Sequence, residues 1–162
     1  MSTQLRPLGR VIDLDADPSV PEGWTVESHR PCGSLIWNPS KTLRLYLSRT
    51  QVRPVKGADL RVEIEKYPVV NATLLDFLMA RQLENPHFIP ADWKYDELGR
   101  VRYIFFWGTI YRYDGGLCVR YLRWNVLRWE QSFGWIDSQW NSQYFALLLN
   151  PQNTPRDSIF MA

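Results

Sequence analysis

With 162 residues, 45% of them apolar and 22% charged, the chain has a globular composition, far from the low-hydrophobicity, high-charge corner in which chains stay disordered. A formal charge of +2 excludes a polybasic nucleic-acid or membrane binder by bulk composition. No apolar run approaches the ~20 residues of a membrane-spanning helix, two cysteines build no disulfide framework, and the N-terminus lacks a secretory apolar stretch. One soluble cytoplasmic domain spanning 1–162, with no cofactor, is expected.

In chain order, residues 1–39 carry Pro7, Pro18, Pro21, Pro31 and Pro39 and are expected to run extended over the surface, anchored by Val11-Ile12 and Leu35-Ile36-Trp37. Thr42–Ser48 alternates Leu43, Leu45 and Leu47 with polar residues, which predicts a half-buried strand; Gln51–Gly57 follows as a loop. Asp59–Lys66 fits either a strand or a helix and is taken as a short helix. From Asn71, an N-cap, the spacing predicts a helix over Ala72–Leu83, with Leu74, Leu75, Leu78, Met79 and Leu83 inward and Asp76 on the far side. Asn85-Pro86 stops it, and Pro90–Trp93 reads as one helical turn. The sequon at Asn71-Ala72-Thr73 is irrelevant in a cytoplasmic chain.

From Val101 to Trp140, aromatic residues recur at alternate positions across three strand-like runs. They are broken at Asp114-Gly115-Gly116 and at Asn125-Val126-Leu127. A two-residue turn at Asp114-Gly115 pairs Tyr113 with Gly116, Trp107 with Leu122 and Phe105 with Trp124. If Trp124 then pairs with Trp129, one face collects Tyr103, Phe105, Trp107, Tyr111, Cys118, Leu122, Trp124, Trp129, Phe133 and Trp135. The other carries Ile104, Phe106, Gly108, Ile110, Val119, Tyr121, Arg123, Glu130 and Ser132, with Tyr121 opposite Gly108. Tyr144–Leu149 is a final strand, and 150–162 a surface tail. The expected fold is α+β: an antiparallel, aromatic-rich β-meander of about five strands with one main helix packed against it.

Aromatic faces bind peptides, sugars and unstacked bases, but the same rings also serve as a core. Trp129, Trp135 and Trp140, near the sheet edge, are the rings expected to be exposed. Arg112, Arg120, Arg123 and Arg128 crowd the same region; they either contact phosphate or form a solvated edge that resists aggregation. Candidate binding residues are therefore Arg112, Arg120, Arg123, Arg128, Trp129 and Trp135. A protein partner comes first, nucleic acid second and carbohydrate third.

Asp13-Leu14-Asp15-Ala16-Asp17 has the opening spacing of a calcium loop but lacks its glycine and closing glutamate. His29 and Cys32 would need His87 and Cys118 to complete a zinc site, and those are scattered. No nucleophile elbow, phosphate-cradling glycine loop or HExxH occurs, so a non-enzymatic module is expected, with a Cys–His dyad as the residual enzymatic alternative.

The segments Val69–Leu78, Ile89–Lys94, Phe105–Arg112 (FFWGTIYR), Leu117–Trp124 and Gly134–Trp140, in this order, resemble those of a family of uncharacterised bacterial proteins. The resemblance runs from about Asp13 to Leu149 and implies no activity, ligand or catalytic residue. The chain departs from the pattern at Asn125-Val126-Leu127, where an Asp-Gly turn is expected, and in a longer insert at Tyr95–Arg102.

Overall fold

The computed structural model describes residues 10–151. The first nine residues, and the expected tail beyond Pro151, lie outside the described residues. The strands are β1 Val11–Asp13, β2 Trp24–His29, β3 Ser34–Ile36, β4 Leu43–Tyr46, β5 Val55–Lys56, β6 Tyr103–Phe105, β7 Thr109–Tyr113, β8 Gly116–Asn125, β9 Arg128–Trp135, β10 Gln139–Trp140 and β11 Tyr144–Leu149. The helices are α1 Pro39–Thr42, α2 Gly57–Ile64 and α3 Ala72–Glu84, with 3-10 turns at Arg49–Val52 and Ala91–Trp93. Seven strands form the main sheet. β8 pairs with β9 on one edge and with both β6 and β7 on the other. Beyond that the sheet forks: β7 carries β2, whereas β6 carries β11 in parallel and then β4.

The fold is thus α+β with a curled, mostly antiparallel sheet, but among the described residues the sheet is larger than the expected five-stranded meander and three helices are present instead of one main helix. Two features account for the difference. The N-terminal segment does not merely run over the surface, since β2 adds a full strand. β4 is drawn into the same sheet through β11, distant in sequence.

The first hairpin follows its turn chemistry. Asp114 and Gly115 have φ of 49° and 81°, the doubly left-handed conformation that suits strand twist, and Tyr113 meets Gly116 and Tyr111 meets Cys118 as expected. The expected pairing fails farther back. Ile104 lies opposite Leu122 and Phe105 opposite Tyr121, a register slip of three residues taken up by the kink at Phe106-Trp107-Gly108. An odd slip exchanges the faces. Phe105 and Trp107 therefore pack with Ile110, Val119 and Trp140 beneath Leu60 and Ile64 of α2. Ile104 and Phe106 pack with Leu122 and Trp129 beneath Leu74, Leu75 and Leu78 of α3. The single aromatic face is really two cores on opposite sides of the sheet.

The link from α2 to α3 crosses between those sides through the fork. Val70 N–H donates to Leu147 O at 3.1 Å, its carbonyl accepts from Gly108 N–H at 2.9 Å, and Leu149 N–H donates to Pro68 O at 2.9 Å. Gly108 does not sit opposite Tyr121; a Cβ there would lie 2.7–2.8 Å from backbone atoms of Val70 and Asn71. Asn71 is fully buried. Its Oδ1 caps α3 by accepting from Thr73 N–H at 3.2 Å, and its Nδ2 donates to Leu14 O and Arg30 O, each at 2.8 Å. Thr109 Oγ1 accepts from Ala72 N–H at 2.9 Å, so two of the orphan donors of the helix start are satisfied. On α3, Leu83 is 79% exposed instead of inward, because the chain leaves the sheet at the C-cap Asn85. Asp76, expected to face away, points to the sheet.

The second hairpin closes on Val126-Leu127, pairing Asn125 with Arg128 and Trp124 with Trp129. Val126 has φ of 50°, an outlier for a β-branched residue, and the Leu127 N–H turns back to Asn125 O.

Gly108→Ala is expected to cost about 3 kcal/mol or more in urea unfolding, because backbone cannot yield. Gly134→Ala meets side-chain rings alone, Phe105 at 3.0 Å and Trp140 at 3.7 Å, and should cost about 1 kcal/mol. Val126→Asn, which admits a left-handed φ, should raise stability by about 1 kcal/mol in the same assay.

Candidate functional site

The sheet corner formed by β2, β7, β8 and β9 on the α3 side carries a half-exposed aromatic cluster. Trp24 stacks on Tyr113 at 5.1 Å and 19°, and Tyr113 on Trp135 at 5.8 Å and 6°. Phe133 stands edge-on to Trp24, Tyr113 and Trp135 at 4.9, 5.9 and 5.2 Å. β2 lies beside β7, and β7 and β9 flank β8, so Tyr113 reaches Trp135 across β8; Gly116 leaves the room Trp135 needs, since a Cβ there would come within 3.0 Å of its ring. Both faces of Tyr113 are occupied by its neighbours.

Beneath the cluster lies Arg120, 4% exposed. Its Nη2 donates to Asp76 Oδ1 at 2.9 Å and to Gln131 Oε1, and its Nη1 donates to Tyr111 Oη at 3.1 Å and Ser19 Oγ at 3.4 Å. Asp76 also accepts from Ser19 N–H at 2.7 Å and Ser19 Oγ–H at 2.8 Å, and Tyr111 donates to Ser19 O at 2.9 Å. Burial pushes the Tyr111 hydroxyl pKa up, and the adjacent Arg120 charge opposes that shift. A charge taken out of water must be paired and saturated with hydrogen bonds. Here the ion pair ties the Ser19 loop, α3 and the sheet to one another. Between that loop and β9 a groove of about 300 Å³ is lined by Val20, Pro21, Trp24, Arg120, Gln131 and Phe133, among others.

The expected binding residues divide. Trp135 lies half-exposed in the cluster and Arg120 at its root. Arg120 is not the exposed cation expected at a sheet edge: β8 turns it toward α3, where Asp76 meets it. Trp129 is 1% exposed, because Ile89 and Trp93, in the segment after α3, cover that end of β9. Trp140 is buried as well, against Phe105 and Trp107. Arg112, Arg123 and Arg128 lie away from the groove. Arg112 pairs with Glu27 at 3.1 Å, while Arg123 and Arg128 share Glu130 at 3.6 and 3.7 Å. Trp24, Tyr113 and Phe133 were not among the expected binding residues. Phe133 carried a signal, since it alternates with Trp135, but Trp24 lies in a Pro-rich segment that gave no sign of joining the sheet.

The alternative sites do not assemble. Cys118 is buried in the aromatic corner, and burial pushes its pKa up to about 11. Burial also raises that of Cys32, which lines a separate recess beside Leu35 and Leu149. His29 borders another recess with Arg30 and Arg61, and His87 is exposed. Among the described residues no three His, Cys, Asp or Glu side chains form a metal-ligand group, and no helix is long and apolar enough to cross a membrane.

Asp76→Ala, which strands the Arg120 charge, is expected to lower unfolding free energy by about 3 kcal/mol. Arg120→Met on that background should recover a large part of it, whereas a simple loss of packing would be deepened. No family model, curated protein or solved structure matches the chain.

Proposed function

We propose that this protein is a non-enzymatic interaction module whose partner is another protein, bound at the aromatic corner beside β9. The observation that carries this is a half-exposed cluster of four rings, three in a stack and Phe133 edge-on to them, bordering a groove at a sheet edge. Rigid aromatic side chains give large contact area at little entropic cost, which is why they anchor protein interfaces. Ring orientation favours this partner over a sugar or an unstacked base, because those ligands need open ring faces and Tyr113 has none to offer. Ion pairing weighs against phosphate at this sheet, since Arg112, Arg123 and Arg128 are already matched to Glu27 and Glu130. Two free cysteines suit a reducing cytoplasm. Kinship with the bacterial family resembled by the motif order belongs to the same proposal and adds no ligand.

The test is photocrosslinking from residue 132 in cell extract adjusted to set salt concentrations, with a probe at the remote residue 97 as the control. A discrete protein adduct is expected from the first position alone, lost on Phe133→Ala and unchanged between about 50 and about 200 mM salt. Three arginines engaging three phosphates would instead weaken binding roughly fortyfold over that range. Such a loss, or adducts with nucleic acid, would overturn the proposal.

A further inference from the structure

We infer that the partner contributes an extended segment that adds to β9 as a further strand along Gln131–Trp135, seating one apolar side chain in the groove. This rests on the binding role proposed above.

The direction of the β9 backbone supports it. Ile136 N–H donates to Leu117 O at 2.9 Å, so the Leu117–Ile136 position is a hydrogen-bonded pair of the β8–β9 ladder. Such pairs alternate along an antiparallel ladder. With the observed register, Gly134, Ser132, Glu130 and Arg128 therefore bond inward to β8. Trp135, Phe133, Gln131 and Trp129 turn their N–H and C=O groups to the outer edge. Trp129 is covered, and the Trp135 carbonyl accepts from Ser138 N–H at 3.0 Å and Trp140 Nε1–H at 3.2 Å. What is left is the N–H and C=O of Gln131, the N–H and C=O of Phe133 and the N–H of Trp135. These have no hydrogen-bond partner among the described residues. Gln131 and Ser132 are exposed and Phe133, Gly134 and Trp135 half-exposed, so the run is open to a second backbone. It contains no proline and no bulge, and its charged residues stand only at the covered end, so it lacks the usual defences of an edge strand.

Side-chain alternation completes the description of the ligand. A strand paired here presents every second residue on the α3 side, where Val20, Pro21, Trp24 and Phe133 wall a groove whose one cation is already neutralised by Asp76. A volume of about 300 Å³ is at the bottom of the range for ligand pockets and suits one large apolar side chain. The alternate residues face Ser132 and the Arg123–Glu130 pair and should be polar. The mode is β-augmentation, with main-chain hydrogen bonds giving affinity and a single pocket giving selectivity.

To test it, peptides are selected from a random phage-displayed library against the full chain and synthesised as probes. Binding is expected to slow amide exchange at Gln131, Phe133 and Trp135 while leaving Ser132 and Gly134, already bonded to β8, unchanged. Phe133→Ala should weaken binding at least about tenfold. Because Phe133 also supports the corner, a second measurement uses the wild-type chain: N-methylation of the peptide amides that face β9 should cost about tenfold per bond. If Phe133→Ala weakens the peptides but the three amides exchange at their free rate, strand addition is overturned and the binding corner stands. If no selected peptide depends on Phe133, both are overturned. A dimer in sedimentation equilibrium with these amides already protected assigns the edge to a second copy and overturns the inference.

Discussion

The rest of the structure depends on one close approach, that of the Gly108 backbone to the backbone of Val70 and Asn71. A continuous sheet would leave no passage from α2 to α3. By kinking at Phe106–Gly108 the strand opens one, and by lacking a side chain Gly108 lets the crossing segment take its hydrogen bonds from both arms of the fork. Asn71 then spends its whole amide group at the same point, capping α3 with one end and gripping Leu14 and Arg30 with the other. A buried amide is tolerable only when saturated. Here saturation fixes where the helix begins, which side of the sheet it covers and where the N-terminal segment returns.

The placement of α3 in turn decides the fate of Arg120. β8 alternates its side chains, so Arg120 faces the helix and Arg123 the opposite side. With Asp76 above it, Arg120 becomes the pin that holds the Ser19 loop against the sheet. That loop is the far wall of the groove. The site is therefore built from the core outward: its rings are held by strand pairing, and its wall by a buried ion pair.

Local chemistry was legible in the sequence and long-range geometry was not. The Asn71 cap, the stop at Asn85-Pro86 and the Asp114-Gly115 turn each rest on a few adjacent residues, and each stands where expected. The face assignment failed because Trp107-Gly108 reads as an ordinary strand interior; only the chain crossing at Asn71 explains the kink. Alternation separated Arg123 from the Trp124 side, yet it could not say which face a helix would cover, so Arg120 passed for a surface cation. Trp129 is interior for the same reason: the segment that buries it follows α3, well upstream in the chain. At Asn125-Val126-Leu127 the departure from a glycine turn is visible in the backbone as a left-handed valine.

The fork also sets a timetable for synthesis. Among the described residues β4 pairs with no strand but β11, and β6 has β11 as its outer neighbour, so Leu43–Tyr46 waits on the ribosome for Tyr144–Leu149 to emerge. Until then α3 is backed by an unfinished sheet lacking Leu147, and Val70 has no carbonyl from that residue to bind. Hairpins β7–β8 and β8–β9 involve only neighbouring segments and can close early. Topology therefore lets the β7–β8–β9 arm, with its β9 edge, form from neighbouring segments, whereas the second arm needs strands about a hundred residues apart.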